Sequence, residues 1–278
     1  MKSVALSIFA LGVVWLAASC GSGDANNKEV KDSVVAVPLA PVALGSVTPS
    51  PDFQGAALTI SSVKAEKVGK DSAKVSFKFD VKNYELKLQT SDNGTKMCNN
   101  SDKGQHIHFI LDNGPYKALY EPTNDVTLPN DGKEHYLVAF LSRSYHESVK
   151  TKGAAVIYHF KIDEKGNLKK LDDPKTPMIT YSRPKGDYTG KDTANILLDF
   201  YVWNCALSDT TYKVQINAEN QDRTTQKLNV VKSDWHPYFL QNLGTGKCRV
   251  VLTLLDKDSK PVEGPMTTAT REFNLKAQ

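Results

Sequence analysis

The stretch from Ser72 to Leu86 returns, without a gap, from Thr193 to Leu207. The matches fall at every second residue: Val75 with Ile196, Phe77 with Leu198, Phe79 with Phe200, Val81 with Val202. A period of two belongs to a half-buried strand, whereas a helical face would need a period near 3.6. A second block pairs Ile107, Phe109 and Leu111 with Val214, Ile216 and Ala218. A third pairs Leu137, Ala139 and Leu141 with Val250, Leu252 and Leu254. Each copy then closes on one more alternating segment, Val156 to Ile162 and Thr270 to Leu275. Three matched blocks in the same order indicate internal duplication.

No segment sustains a helical period. Turn residues separate the strands, as at Asp112-Asn113-Gly114-Pro115 and Asn130-Asp131-Gly132. Short strands spaced this way predict an all-β chain of two tandem immunoglobulin-like antiparallel β-sandwiches. The expected domains are 55–165 and 177–276, with 166–176 as the linker and the joint itself at Leu171 to Pro177. A length of 278 residues suits two such units. With 40% hydrophobic and 24% charged residues, wholesale disorder is excluded. Lys and Arg outnumber Asp and Glu only 35 to 31, and the basic residues are dispersed, so nucleic acid is not an expected partner.

Residues 1–19 read as a secretory signal: a basic start at Lys2, an apolar run from Val4 to Leu16, then Ala17-Ala18-Ser19. That apolar run is too short for a comfortable membrane span. Leu16-Ala17-Ala18-Ser19-Cys20 resembles the lipobox of bacterial lipoproteins, which implies lipidation of Cys20 and a membrane attachment through that anchor. Gly21 and Ser22 do not resemble an inner-membrane retention signal, so the expected address is the outer membrane. Residues 20–54, small and polar at first and then proline-rich, read as a lipidated cysteine and a flexible tether.

Three cysteines remain in that oxidising setting. Cys205 ends one expected strand and Cys248 begins another, and a disulfide between them is the structural reading. Cys98 is then left over, as a free thiol, an intermolecular bridge or a soft metal ligand. Histidines are lopsided: His106, His108, His135, His146 and His159 all lie in the first copy. Their counterparts in the second copy include Lys213, Gln215, Cys248 and Ser259, so any histidine chemistry belongs to the first sandwich alone.

His106-Ile107-His108 puts two imidazoles on one strand face, a spacing able to chelate copper or zinc. Because Ile107 and Phe109 face the core, this pair is expected to point outward. His135 shares the parity of Leu137 and Ala139 and is expected to point inward. A site joining them therefore needs a bulge or a position at the sandwich rim. The structural alternative is a set of surface or hydrogen-bonded histidines, with Tyr84 and His135 bonded to each other.

The run Gly104-Gln105-His106-Ile107-His108-Phe109-Ile110-Leu111-Asp112, then Gly132-Lys133-Glu134-His135 and Ser144-Tyr145-His146, resembles a histidine-rich domain of unknown function in exported bacterial proteins. The resemblance covers about residues 104–160. It implies a shared role for His106, His108, His135 and His146, with Gln105 standing where that family has a third consecutive histidine. The whole chain is similar to duplicated-sandwich lipoproteins of Bacteroidota, some of which are labelled phosphopeptide-binding. No local arginine cluster here is fit to hold a phosphate.

No nucleophile elbow, phosphate loop or His-Glu-x-x-His motif occurs, and the chain is not expected to be an enzyme. The leading expectation is a lipid-anchored envelope protein whose sandwiches bind or position a protein or glycan partner. Its candidate contacts are Tyr116, Arg143 and Tyr145, with Tyr120, Trp235, Tyr238 and Phe239 as further aromatics. The alternative is a copper- or zinc-binding envelope protein using the His-x-His strand.

Overall fold

The computed structural model describes residues 40–277. The signal segment, Cys20 and most of the expected tether lie outside the described residues. Among the described residues seventeen strands, numbered in chain order, form four sheets. In the first sandwich, β2 (Ala57–Lys67), β3 (Ser72–Lys82) and β6 (Thr123–Pro129) form one sheet. Facing it are β4 (His106–Leu111), β5 (Lys117–Leu119), β7 (Glu134–Ser142), β8 (Ala155–Ile162) and β9 (Leu168–Lys170).

In the second sandwich, β1 (Ala43–Ser46), β10 (Met178–Arg183), β12 (Ile196–Trp203) and β15 (Tyr238–Gln241) form one sheet. The other holds β11 (Gly186–Thr189), β13 (Lys213–Asn220), β14 (Lys227–Lys232), β16 (Gly246–Leu255) and β17 (Thr268–Lys276). Among the described residues every strand pair is antiparallel except β11 with β17.

Alternation does the local work. Along β3, Ala73, Val75, Phe77 and Phe79 are buried in the first core while the residues between them are not. Phe77 meets Phe109 and Phe160 edge-on, with ring centroids 5.3 and 5.8 Å apart, the geometry that aromatic quadrupoles favour. The repeat extends to register. Ile107 pairs with Leu141 and Phe109 with Ala139. In the second copy Val214 pairs with Leu254 and Ile216 with Leu252, the same counterparts in the same order.

Three expectations need correction. Residues 40–54 are not a loose tether. They supply β1 to the second sandwich and then run along the first as a strap. The Pro51 carbonyl accepts from Arg143 Nη2 at 2.6 Å, the Thr48 carbonyl accepts from Lys96 Nζ at 2.6 Å, and Ser50 Oγ donates to Glu147 at 2.5 Å. Proline removed donors from this segment, but its carbonyls remained as acceptors for buried cations. The linker is also shorter than expected, because Leu168–Lys170 pairs with β8 as β9.

The third correction concerns Cys205 and Cys248, which are both free thiols. Cys205 follows β12, and the bridge of Leu207 with Tyr212 sets that loop beside the start of β13, where Lys213 pairs with Leu255, whereas Cys248 sits beside Asn220 at the far end of the strand. That run of strand is about 20 Å, and a disulfide tolerates a Cα separation of at most about 7 Å. Burial pushes the Cys205 thiol up to about 11 and the Cys248 thiol up to about 12.

The two sandwiches are fastened across a packed seam. Ile110, Tyr116, Val138 and Phe140 of the first copy join Tyr201 of the second in one buried cluster. Phe140 and Tyr201 stack at 5.3 Å. Asp199, fully buried on β12, accepts from the Ser148 amide at 3.0 Å, from Ser148 Oγ at 3.0 Å and from Lys150 Nζ at 2.8 Å. A buried carboxylate is tolerable only when its oxygens are satisfied in this way.

Candidate metal centre

On β4, Ile107 and Phe109 enter the first core, which turns His106, His108 and Ile110 to the opposite face. The outward expectation is right relative to that core and wrong about solvent. His106 and His108 are both 0% exposed, because this face is covered by the second sandwich. His108 Nδ1 lies 2.8 Å from Ser182 Oγ on β10, a contact across the seam.

His146 arrives from the loop between β7 and β8. Its backbone φ is 70°, in the left-handed region, and its amide donates to the Arg143 carbonyl at 2.9 Å. This tight turn swings the imidazole back over β4, leaving it 7% exposed. His106 Nε2 lies 2.9 Å from His108 Nε2, and His146 Nδ1 lies 3.1 Å from His106 Nε2. One nitrogen of each ring falls within 4.8 Å of the others, and among the described residues no carboxylate or thiol joins the group.

Proton positions follow from the partners. The Gly104 carbonyl, 2.8 Å from His106 Nδ1, can only accept, so Nδ1 carries the proton and Nε2 presents a lone pair. In the metal-free protein His108 Nε2 then donates to that lone pair, and its Nδ1 accepts from the Ser182 hydroxyl. His108 could equally donate from Nδ1 to Ser182 Oγ, which also accepts, and its Nε2 would then be free to ligate a metal ion. Such outer partners fix ring orientation and tautomer in histidine metal sites.

Charge favours neutral rings. Burial lowers His106 to about 4, opposed by its bond to Gly104 and assisted by Arg183 and Lys185. Burial, with the same two cations and the neighbouring imidazoles, holds His108 and His146 well below the usual histidine range. Near neutral pH all three rings therefore have lone pairs to offer.

The other expected site residues fall elsewhere. His135 keeps the inward parity of Leu137 and packs against Phe160. Its Nδ1 bonds Asp112 Oδ2 at 2.7 Å, so it takes no part in the triad. Tyr84 donates to the Ser142 carbonyl at 2.8 Å, which rules out the expected Tyr84–His135 bond. Cys98 also stays outside the triad, and burial pushes its thiol up to about 12.

The expected partner contacts are buried. Tyr116 stacks on His108 with centroids 3.7 Å apart, and Tyr145 is enclosed. Arg143 is paired with Glu147 at 3.2 Å beneath the strap. Tyr238 and Phe239 are also buried, and Trp235 packs at the edge of the seam. Each carries the aromatic or cationic chemistry of an interface residue, and the interface they serve is internal.

Three residues of the site were not legible in the sequence. Ser182, Arg183 and Lys185 lie far along the chain from the histidines and belong to no local motif. Lys185 Nζ donates to the Tyr116 carbonyl at 2.6 Å and sits 4.3 Å above its ring. Arg183 lies 5.5 Å from the same ring and donates to Tyr188 Oη at 2.9 Å.

No family model matches the chain. No curated protein matches it. Among solved structures, fibronectin(III)-like modules of Clostridium thermocellum CbhA align at 10% identity, over 79% of this chain and 94% of that one, with a TM-score of 0.27. The chicken interferon gamma receptor alpha chain aligns at 10% identity, over 80% and 97%, with a TM-score of 0.24. The receptor tyrosine kinase Torso aligns at 13% identity, over 84% and 76%, with a TM-score of 0.19. At such scores the likenesses say nothing about function.

Proposed function

We propose that this chain is a lipid-anchored envelope protein that holds one copper or zinc ion on His106, His108 and His146, where its two sandwiches meet. The observation that carries this reading is the convergence of three imidazole nitrogens at 2.9 and 3.1 Å in a buried seam. Nitrogens bound about 2.0–2.1 Å from a tetrahedral zinc stand about 3.3 Å apart, and the separations of 2.9 and 3.1 Å about His106 Nε2 lie close to that spacing. Neutral imidazole suits both zinc and copper.

The anchor follows from the lipobox-like segment ending at Cys20 and sets the protein at the outer membrane. A holding role rather than a catalytic one is supported by the burial of all three rings. Partner binding through Tyr116, Arg143 and Tyr145 loses its support, since those side chains are buried inside the molecule.

The test is zinc and copper titration of the full chain in detergent against the His106→Ala/His108→Ala/His146→Ala variant. One equivalent is expected to bind the natural chain tightly and to be lost in the variant. Equal uptake by both would refute the site.

A further inference from the structure

The ligand set at the seam brings no negative charge. His106, His108 and His146 offer three imidazole nitrogens, and among the described residues no carboxylate or thiol joins them. The charges that stand nearby are positive. Tyr116 stacks on His108 at 3.7 Å, and the centre of the same Tyr116 ring lies 4.3 Å from Lys185 Nζ and 5.5 Å from Arg183 Cζ. Among the described residues neither cation has a carboxylate within ion-pair distance. The two buried acids of this region are already engaged, Glu147 by Arg143 and Asp199 by Lys150.

An ion entering the seam therefore carries a charge that nothing cancels, and the size of that charge decides how well it is held. Repulsion from Arg183 and Lys185 is proportional to the charge of the ion, so a dication meets twice what a monocation meets. The cost of taking an ion out of water rises more steeply still with its charge. Coordination number points the same way: zinc in protein sites is almost always four-coordinate, while the seam brings three nitrogens together. Copper(I) is stable with three neutral nitrogen donors. We propose that the seam selects a monovalent ion, copper(I), held three-coordinate by His106, His108 and His146, and that Arg183 and Lys185 are the residues that discriminate against dications. This inference rests on the metal reading above.

The probes are copper(I), kept reduced by ascorbate without oxygen and shared with a copper(I) chelator, and zinc(II), shared with a chromophoric zinc chelator. Both are titrated into the full chain in detergent. The natural chain is expected to bind one copper(I) about a hundredfold or more tighter than zinc(II), with three nitrogen neighbours in its X-ray absorption spectrum. Lys185→Gln is expected to strengthen zinc binding about tenfold more than copper(I) binding, and Lys185→Arg, which keeps the charge, to leave the ratio where it was. Zinc held as tightly as copper(I), a four-coordinate copper(I) spectrum, or a ratio that Lys185→Gln does not move overturns the selection and leaves the three-histidine site standing. Failure of the natural chain to bind either metal better than the triple-histidine variant overturns both. The absorption spectrum of the natural chain decides the coordination even if Lys185→Gln folds poorly.

Discussion

The loop Arg143–Glu147 and the loop Asp256–Lys260 are the same turn built twice. Arg143 N–H donates to the Glu147 carbonyl at 2.9 Å, as Asp256 N–H does to the Lys260 carbonyl at 2.8 Å. His146 and Ser259 occupy the same position with φ of 70° and 61°. Their surroundings differ completely: residues 141–149 are all buried, while 257–260 are exposed. The exposed loop supports itself, since the Asp256 carboxylate accepts from the amides of Asp258 and Lys260 at 2.9 Å each. The buried one has arginine at that position and is held by the strap and by Asp199.

The difference originates on the sheet face beside each loop. In the first copy that face carries Ile110, Val138 and Phe140; the matching residues of the second are Asn217, Val251 and Thr253. An apolar face gains about 25 cal/mol for each Å² removed from water, and a polar one has little to gain. The first copy therefore docks and encloses its histidines, while the outer face of the second stays in water. One backbone thus serves as a ligand carrier or as a plain surface turn, according to what packs over it.

The comparison can be broken most forcefully at the seam. Phe140→Ala is expected to cost about 3–5 kcal/mol, and its counterpart Thr253→Ala about 0.5 kcal/mol or less, both read from urea unfolding. Comparable losses at the two positions would mean that docking does not distinguish the copies.

A smaller effect is expected with pH. In the metal-free protein the histidines of the seam bind protons less readily folded than unfolded. The unfolded chain therefore holds more protons on the acid side of the ordinary histidine range. Stability from this source is complete above about 6.5 and is lost as pH falls toward the value of about 4 at which His106 protonates. Thermal melting at pH 7 and pH 5 is expected to show a fall of about 2–4 °C for each kcal/mol lost. His106→Gln/His108→Gln/His146→Gln is expected to flatten that slope, and an unchanged slope would place its origin elsewhere. The second copy, with Lys213, Gln215 and Ser259 at these positions, has nothing there to titrate in this range.

The finest distinction lies in the two left-handed residues. Ser259→Gly is expected to change stability by a few tenths to about 1 kcal/mol in the favourable direction, as relief of a left-handed side chain outweighs added chain entropy. His146→Gly relieves the same backbone but is expected to abolish tight copper uptake. Loss of stability in Ser259→Gly would show that its side chain, not its backbone, sustains the turn.

Much of the fold was legible because strand faces are a local matter. Val75, Phe77 and Phe79 announce their side of β3 by parity alone. The offsets that align Ile107 with Val214 and Leu141 with Leu254 are matched by the pairing seen across the sheets, Ile107 with Leu141 and Val214 with Leu254. The cysteines were misread because adjacency to strand ends does not say which end. Cys205 and Cys248 reach opposite ends of β13, a fact of topology rather than spacing. Arg143, Tyr116 and Tyr145 were misread for a related reason: side chains suited to an interface do not reveal whether the partner is another molecule or the other half of the chain.

For the site, the division falls between β4 and everything that covers it. Alternation along a single strand was sufficient to place His106 and His108 on one face, away from Ile107 and Phe109. Nothing local could add His146, remove His135 or bring Ser182 and Arg183 alongside. Those outcomes depend on two sheets docking face to face, an event driven by burial of non-adjacent apolar residues, and contacts between distant segments leave no period in the chain that makes them.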